Sequence, residues 1–129
     1  MGVSKLLDFE SRTVKLCIEG TQAEYEGRID DARALYRRAW ESSRDDYEAC
    51  IAAHYVARHQ GSPEDALRWN LEALARARAA GDIRVESFYP SLYVNLGRAY
   101  ELAGNQSEAA RYYELAASLG LVHQAGLAP

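Results

Sequence analysis

The chain has 129 residues, 48% of them hydrophobic, and 19 acidic against 15 basic residues give a formal net charge of −4. This length and composition fit one domain with a continuous hydrophobic core. The mild acidity, without any block of like charges, argues against a nucleic-acid-binding protein, because a nucleic-acid backbone needs a basic face. No segment approaches the roughly 18 consecutive apolar residues of a membrane span. We therefore expect a cytoplasmic protein with neither a nucleic-acid nor a membrane partner.

Apolar residues spaced by three and four predict helices along the whole chain. The first predicted helix covers about 8–26, and Gly27 ends it, since glycine readily takes the left-handed conformation that closes a helix. The second covers about 29–44. Asp45-x-x-Glu48 then has the layout of a capping box, with an N-cap acceptor followed by a carboxylate. This motif predicts the start of a third helix.

Ser62-Pro63-Glu64-Asp65 is the clearest helix start in the chain. It combines a serine cap, a proline where no backbone donor is needed, and acids at the positive end of the helix dipole. It follows Gly61, the predicted end of the third helix. The fourth helix then continues through the alanine- and arginine-rich stretch 75–80, and Gly81 closes it.

Pro90 makes the segment 82–89 ambiguous, because proline lacks a backbone donor and disfavours helical geometry at the preceding residue. Either a short helix kinks at this proline or a fifth helix begins there, and we favour the second. Asn105-x-x-Glu108 starts a sixth helix, which ends near Leu119. The tail, 121–129, has no periodicity.

The six predicted helices form three pairs that share one residue pattern. The glycines between the paired helices stand 34 and 43 residues apart, so an insertion at 75–89 precedes the third unit. The units cover about 13–46, 47–80 and 90–120 of a single domain, 1–129. The three copies read Gly27-x-x-x-x-Ala32-x-x-x-Tyr36-x-x-Ala39, Gly61-x-x-x-x-Ala66-x-x-x-Asn70-x-x-Ala73 and Gly104-x-x-x-x-Ala109-x-x-x-Tyr113-x-x-Ala116.

With Tyr93-x-x-Leu96-Gly97-x-x-Tyr100 upstream, the third copy resembles the tetratricopeptide repeat (TPR) family, whose unit is about 34 residues long. The first two copies are degenerate versions of the same pattern. The resemblance implies an all-α fold, a right-handed α-solenoid of about three antiparallel helix pairs. Paired helices cross closely where a small residue faces a bulky one, so we expect Gly97 and Ala109 to admit Tyr93, Leu96 and Tyr113 between them.

In this family the first helices of successive units line a concave groove that receives an extended peptide or a partner's helix. The resemblance therefore implies a non-catalytic protein–protein interaction module or scaffold. Aromatic rings and arginines suit a peptide held by stacking and charge-assisted hydrogen bonds, although a solvated polar face explains any single residue equally well. The candidate groove residues are Tyr25, Tyr55, Arg58, His59, Val94, Arg98 and Glu101, with Cys17, Thr21, Glu24, Glu48, Ile51, Ser91 and Leu102 at the other groove-facing positions.

Within that set, Tyr55, Arg58, His59 and Arg98 are the expected anchors. Some members of the family grip a carboxyl terminus with a clamp of lysines and asparagines. Asn95 stands at an asparagine position of that clamp, but the first helix offers Cys17 and Thr21 where a cation and an amide are needed. We therefore do not expect binding of chaperone tails.

Catalytic and metal-binding patterns are not evident in the sequence. The cysteines Cys17 and Cys50 form no Cys-x-x-Cys pair. Cys50 and His54 lie four apart on one helix, but two ligands do not close a tetrahedral site, so packing is the preferred explanation. The glycines are helix ends rather than a phosphate cradle, and no nucleophile has an identifiable base. We predict no enzyme activity, no catalytic residues, no cofactor and no metal site.

Three alternatives stay open at this stage. The groove could close over a small ligand or a signal peptide, as in a sensor. The chain could be an accessory or dimerisation domain of an enzyme system. A homodimer could form through the extended fourth helix or through the outer face of the last helix, near Leu115 and Leu119, with Leu121-Val122 of the tail as the alternative cover for that face.

Overall fold

The structure, a computed structural model, describes residues 10–120 of the chain. This part is all-α, as predicted, and contains no strand. A 3₁₀ turn, Ala57–His59, continues the third helix. The α-helices are α1 Arg12–Tyr25, α2 Ile29–Glu41, α3 Asp46–Val56, α4 Pro63–Ala80, α5 Ile83–Glu86, α6 Tyr89–Leu102 and α7 Gln106–Ser118.

The six longer helices pack mainly in consecutive pairs, α1 with α2, α3 with α4, and α6 with α7. In the first pair, Thr13 near the start of α1 donates to the carbonyl of Ala39 near the end of α2, at 3.3 Å. Further along α1, Gly20 faces the ring of Tyr36 earlier in α2, so these two helices run antiparallel. Helix α3 contacts both helices of the first pair, and α6 packs on α4. Buried residues from all three pairs join in one main core, and a second, smaller cluster consists of Ala23, Ala32, Tyr36 and Val56.

Local cap chemistry explains where several helices begin. The predicted N-cap side chains each accept a bond of 2.9–3.1 Å from the backbone N–H three residues on, at Asp45, Ser62 and Asn105. These three predicted starts are confirmed. The predicted first helix begins at Arg12 after the cap Ser11, and its expected first residues, Asp8 and Phe9, lie outside the described part of the chain.

The segment before Pro90 contains a helix that the periodicity did not indicate. Helix α4 reaches Ala80 as predicted, and Gly81 closes it with a φ of 59°. Asp82 then caps the single turn of α5, whose Val85 is buried in the core. Because α6 begins one residue before Pro90, the prediction of a new helix start there is confirmed.

Two glycines allow paired helices to approach each other closely. A Cβ atom built on Gly20 would lie 2.3 Å from Cε1 of Tyr36, and one built on Gly97 would lie 2.4 Å from Cε1 of Tyr113. Both distances are far below an ordinary carbon–carbon contact. The prediction that Gly97 admits Tyr113 is confirmed, and the nearby Ala109 is buried.

Within residues 10–120, no helix combines the length and apolarity that a bilayer crossing requires. Leu115 of α7 packs against the core, whereas Leu119, just after α7, is 52% exposed. The expected alternative cover for this face, Leu121 and Val122, lies outside the described residues.

Candidate binding site

The predicted groove residues fall into different environments. Tyr25, the last residue of α1, is 89% exposed. Val94 of α6 is only 5% exposed, so its side chain packs in the interior and has little surface area that a ligand could contact. Glu101 accepts a hydrogen bond of 2.5 Å from the hydroxyl of Tyr113. The remaining candidates, Tyr55, Arg58, His59 and Arg98, lie at or beside the features described next.

A carboxylate cluster joins the end of α1 to the 3₁₀ turn after α3. The Glu24 carboxylate accepts from Arg58 Nε at 2.9 Å and from Arg58 Nη2 at 3.2 Å. His59 Nε2 lies within hydrogen-bond distance of the same carboxylate, and the Tyr36 hydroxyl donates to it at 3.0 Å. Two of the four expected anchors, Arg58 and His59, are therefore already bonded inside the chain.

The charges of this cluster are matched. Burial alone would raise the pKa of Glu24, but hydrogen bonds from Arg58, His59 and Tyr36 outweigh it and hold that pKa below its ordinary value. Burial, followed by the neighbouring carboxylate, raises the pKa of Tyr36 to about 12. The cluster is thus a link between the first two helix pairs, with Glu24 ionised at neutral pH.

An apolar cleft lies between α3 and the start of α6, and encloses about 210 Å³. We call it the apolar cleft. Tyr55 on its wall is held in place by stacking on Tyr36, at 5.2 Å between ring centroids, and by an edge contact with His54 at 4.9 Å. The lining residues are Cys50, Ile51, His54 and Tyr55 from α3, with Ser87, Phe88, Ser91 and Leu92 from the α5–α6 junction and α6.

A second, more polar cleft of about 310 Å³ lies where α3, α4 and α6 meet. We call it the polar cleft. Its wall includes Arg98, which is exposed and makes no hydrogen bond or ion pair with any residue in 10–120. The full lining is His54, Ala57 and Arg58 from α3 and its 3₁₀ turn, Ala66 and Asn70 from α4, and Asn95, Arg98, Ala99 and Leu102 from α6.

His54 lines both clefts. Burial, and then the nearby Arg58 charge, lower its pKa, so the imidazole is neutral at neutral pH. The Nδ1 atom lies 3.3 Å from the side-chain amide nitrogen of Asn95. The amide is the donor in this pair, which leaves the imidazole proton on Nε2. His54 is thus a neutral side chain that separates the apolar cleft from the polar cleft.

Four positions that the family resemblance places in the groove are buried: Val94, Ile51, which lines the apolar cleft, Cys17 and Glu48. Cys17 is 2% exposed. Glu48, also 2% exposed, accepts from Ser11 Oγ at 2.8 Å, from the backbone N–H of Arg44 at 2.9 Å and from Arg44 Nη2 at 2.7 Å. Burial opposes ionisation of Glu48, but these bonds still lower its pKa. The expectation that Cys17 and Glu48 face a ligand is wrong, because both pack where α3 meets the first helix pair.

The structure also shows the environment of the two cysteine thiols and of the side chains that commonly bind metals. Burial raises the pKa of Cys17 and of Cys50 to about 12, so neither thiol is ionised at neutral pH. Over the described range, no three His, Cys, Asp or Glu side chains come together in a way that would hold a metal ion.

His54 and Asn70 are the residues whose importance the sequence pattern understated. Both occupy repeat positions where the first and third units have a glycine and a tyrosine. The sequence favours packing as the role of His54 because this residue occupies a small-residue position of the repeat. The informative signal was the mismatch, since the two exceptions face each other's helices and line the same cleft.

Comparison of the chain with protein-family models, with curated proteins and with solved structures finds no match. Function is therefore inferred from the geometry of the two clefts.

Proposed function

We propose that this chain is a TPR-like protein-interaction module, a right-handed solenoid of three helix pairs whose first helices bind a segment of a partner protein. The recurring glycine–tyrosine crossings and the stepwise packing of consecutive pairs support this architecture. The interaction is non-catalytic and needs no cofactor. A cytoplasmic location remains the prediction made from the sequence.

The observation that carries the proposal is the apolar cleft. It lies between α3 and α6, the first helices of the second and third pairs, and includes the predicted groove residues Ile51, Tyr55 and Ser91. Its wall is largely apolar and aromatic, which suits one large apolar side chain. Burying such a side chain contributes about 1.5–3 kcal/mol, so this single anchor supports modest affinity and the partner must make further contacts outside it.

The size of the cleft favours a protein segment over a small ligand. Sites that enclose drug-sized molecules measure about 300–1,000 Å³, whereas the apolar cleft measures about 210 Å³ and the polar cleft, at about 310 Å³, only reaches the lower end of that range. A side chain that enters from an extended segment needs no enclosure on all sides. We therefore prefer the interaction module to the sensor.

Selection of random peptides displayed on phage tests the proposal. We expect enriched peptides to share a large apolar residue, and we expect the variant Ser91→Arg to bind them about tenfold or more weakly, because the long side chain covers the cleft. Ser91 is exposed, so the substitution leaves the core intact. Ser118→Arg, at the exposed end of α7, is the matched control and should bind like the parent. Peptides that bind Ser91→Arg as well as the parent would refute this location.

A further inference from the structure

The first and third helix pairs share a packing unit of three residues. A glycine on the first helix admits a tyrosine from the second, and the tyrosine hydroxyl donates to a glutamate four residues after the glycine. The hydroxyl-to-carboxylate distances are 3.0 Å in the first pair and 2.5 Å in the third. The members are Gly20, Tyr36 and Glu24 in the first pair, and Gly97, Tyr113 and Glu101 in the third.

The second pair replaces all three members of this unit. His54 stands in place of the glycine, Asn70 in place of the tyrosine, and Arg58 in place of the glutamate. Asparagine is much smaller than tyrosine, and the imidazole of His54 takes up only part of the space that a phenol ring fills in the other pairs, so an open cleft lies here. The polar cleft occupies this position, with all three replacements on its wall.

The exchange also reverses the local charge. The first and third units each place a carboxylate at this position, whereas the nine lining residues of the polar cleft include two arginines and no carboxylate. Arg58 is neutralised by Glu24 at 2.9 Å. Arg98 has no hydrogen-bonding or ionic partner among the residues that the structure describes. The residues that line the cleft, counted with the Glu24 that pairs with Arg58, therefore carry an excess of one positive charge, that of Arg98. The side-chain amides of Asn70 and Asn95 also line the cleft, and each uses one N–H inside the chain, toward the carbonyl of Ala66 and toward His54.

We propose that the polar cleft binds the carboxylate of an aspartate or glutamate side chain of the partner segment, with Arg98 as its main donor. This inference rests on the proposed function for the origin of the carboxylate. A guanidinium presents two parallel N–H donors to a carboxylate, and one uncompensated arginine matches one negative charge better than the nearly double charge of a phosphate. Because His54 lines both clefts, the acidic residue lies close to the apolar anchor in the partner.

A small probe tests the site without any partner protein. Side-chain NMR signals of Arg98, Asn70 and Asn95 are followed while the N-acetyl, N-methylamide derivative of aspartate is added to the full chain. We expect these signals to shift in a saturable way, and the asparagine derivative to bind about tenfold more weakly, since it lacks the charge. Equal responses to the two derivatives would overturn the proposal. Tighter binding of the phosphoserine derivative would overturn the choice of a carboxylate.

Two variants at the polar cleft, with one control variant elsewhere, locate the residues that respond to the aspartate derivative. Arg98→Gln should abolish the preference for aspartate, whereas Arg33→Gln, which removes another exposed arginine on α2, should retain it. The double variant His54→Gly/Asn70→Tyr restores the residues of the first and third units and should fill the cleft, with the same loss of response. Retention of the aspartate preference in Arg98→Gln would overturn the assignment of this residue.

The phage-selected peptides separate this inference from the proposed function. Each acidic residue of a selected peptide is replaced by its amide, and binding is measured by fluorescence anisotropy to the parent and to Arg98→Gln. We expect one replacement to weaken binding to the parent about tenfold and to have little effect on the variant. If no acidic residue matters while Ser91→Arg still blocks binding, the carboxylate site is refuted and the interaction module stands. If Ser91→Arg has no effect, the proposed function fails, and the small-probe titration still decides the carboxylate site.

Discussion

The close crossing of α6 and α7 provides a sharp test of the fold, through the substitution Gly97→Ala. The added methyl group would lie 2.4, 2.6 and 2.8 Å from three ring atoms of Tyr113. An ordinary contact requires roughly 3.5 Å or more, so the ring must move by about 1 Å. The ring is restrained, because its hydroxyl donates to Glu101 on the same helix as the glycine, at 2.5 Å.

The expected change in the free energy of unfolding of Gly97→Ala follows from two opposing effects. Overpacking of a tight core typically costs about 1–3 kcal/mol, while alanine favours a helix interior over glycine by about 1 kcal/mol. Because three ring atoms are affected, we expect the upper part of the range and a net destabilisation of about 1–2 kcal/mol. Thermal unfolding followed by circular dichroism should show a midpoint about 5 °C lower than in the parent.

A double-mutant cycle with Tyr113→Asn isolates the contact. Asparagine is the residue that the second helix pair has at the equivalent position, Asn70. In the Tyr113→Asn background the methyl group meets no ring, so Gly97→Ala should be neutral or stabilising there. Equal destabilisation by Gly97→Ala in both backgrounds would refute the crossing.

Two further predictions concern stability. Glu24→Gln should destabilise the chain by about 2 kcal/mol near pH 7, because it removes the negative charge and one of the two oxygens that accept from Arg58, and places an N–H₂ donor in its stead. The pKa of Glu24 is lowered in the folded state, so its contribution is present above the unfolded pKa of about 4.3 and is lost as the pH falls through the lower, folded pKa. Urea denaturation of parent and variant should therefore give free energies that converge on acidification, and a constant difference down to pH 2 would contradict the linkage. Ala109→Leu, at a buried position in the third pair, should cost about 1–3 kcal/mol by overpacking, and an unchanged thermal midpoint would contradict the predicted register.

Local chemistry explains why the helix boundaries were predictable. The caps Ser62 and Asn105 act on backbone groups three residues away, so a short stretch of sequence contains everything that decides them. The crossing of Gly97 with Tyr113 was predictable for a different reason, because repetition of the same residues revealed which positions face each other. The helix α5 has a local cap, Asp82, but it is too short to show periodicity and is absent from the first two repeat units.

The candidate site depends on contacts between residues far apart in the sequence. Arg58 donates a hydrogen bond to Glu24, which lies 34 positions earlier in the sequence. The buried Glu48 accepts a hydrogen bond from Ser11, which lies 37 positions earlier. Periodicity predicts which face of a helix a residue occupies, but it does not indicate whether an arginine on that face already has a partner. For this reason Arg98 remains a candidate anchor, while Arg58 and His59 are linked to another part of the chain.

The carboxylates of Glu48, which is buried, and of Glu24, which is partly buried, also have a mechanical consequence. Glu48 fastens the beginning of α3 to the beginning of α1, and Glu24 fastens the turn after α3 to the end of α1. The first two helix pairs are thereby connected at both ends of their shared boundary. Rotation of one pair about either contact is opposed by the other contact. The corresponding boundary between α3 and α6 has the hydrogen bond between His54 and Asn95 near its middle. If a partner binds as proposed, we expect a change in the distance between α3 and α6 to come from movement of the third pair about its packing contact with α4, because the first two pairs are held together at two points.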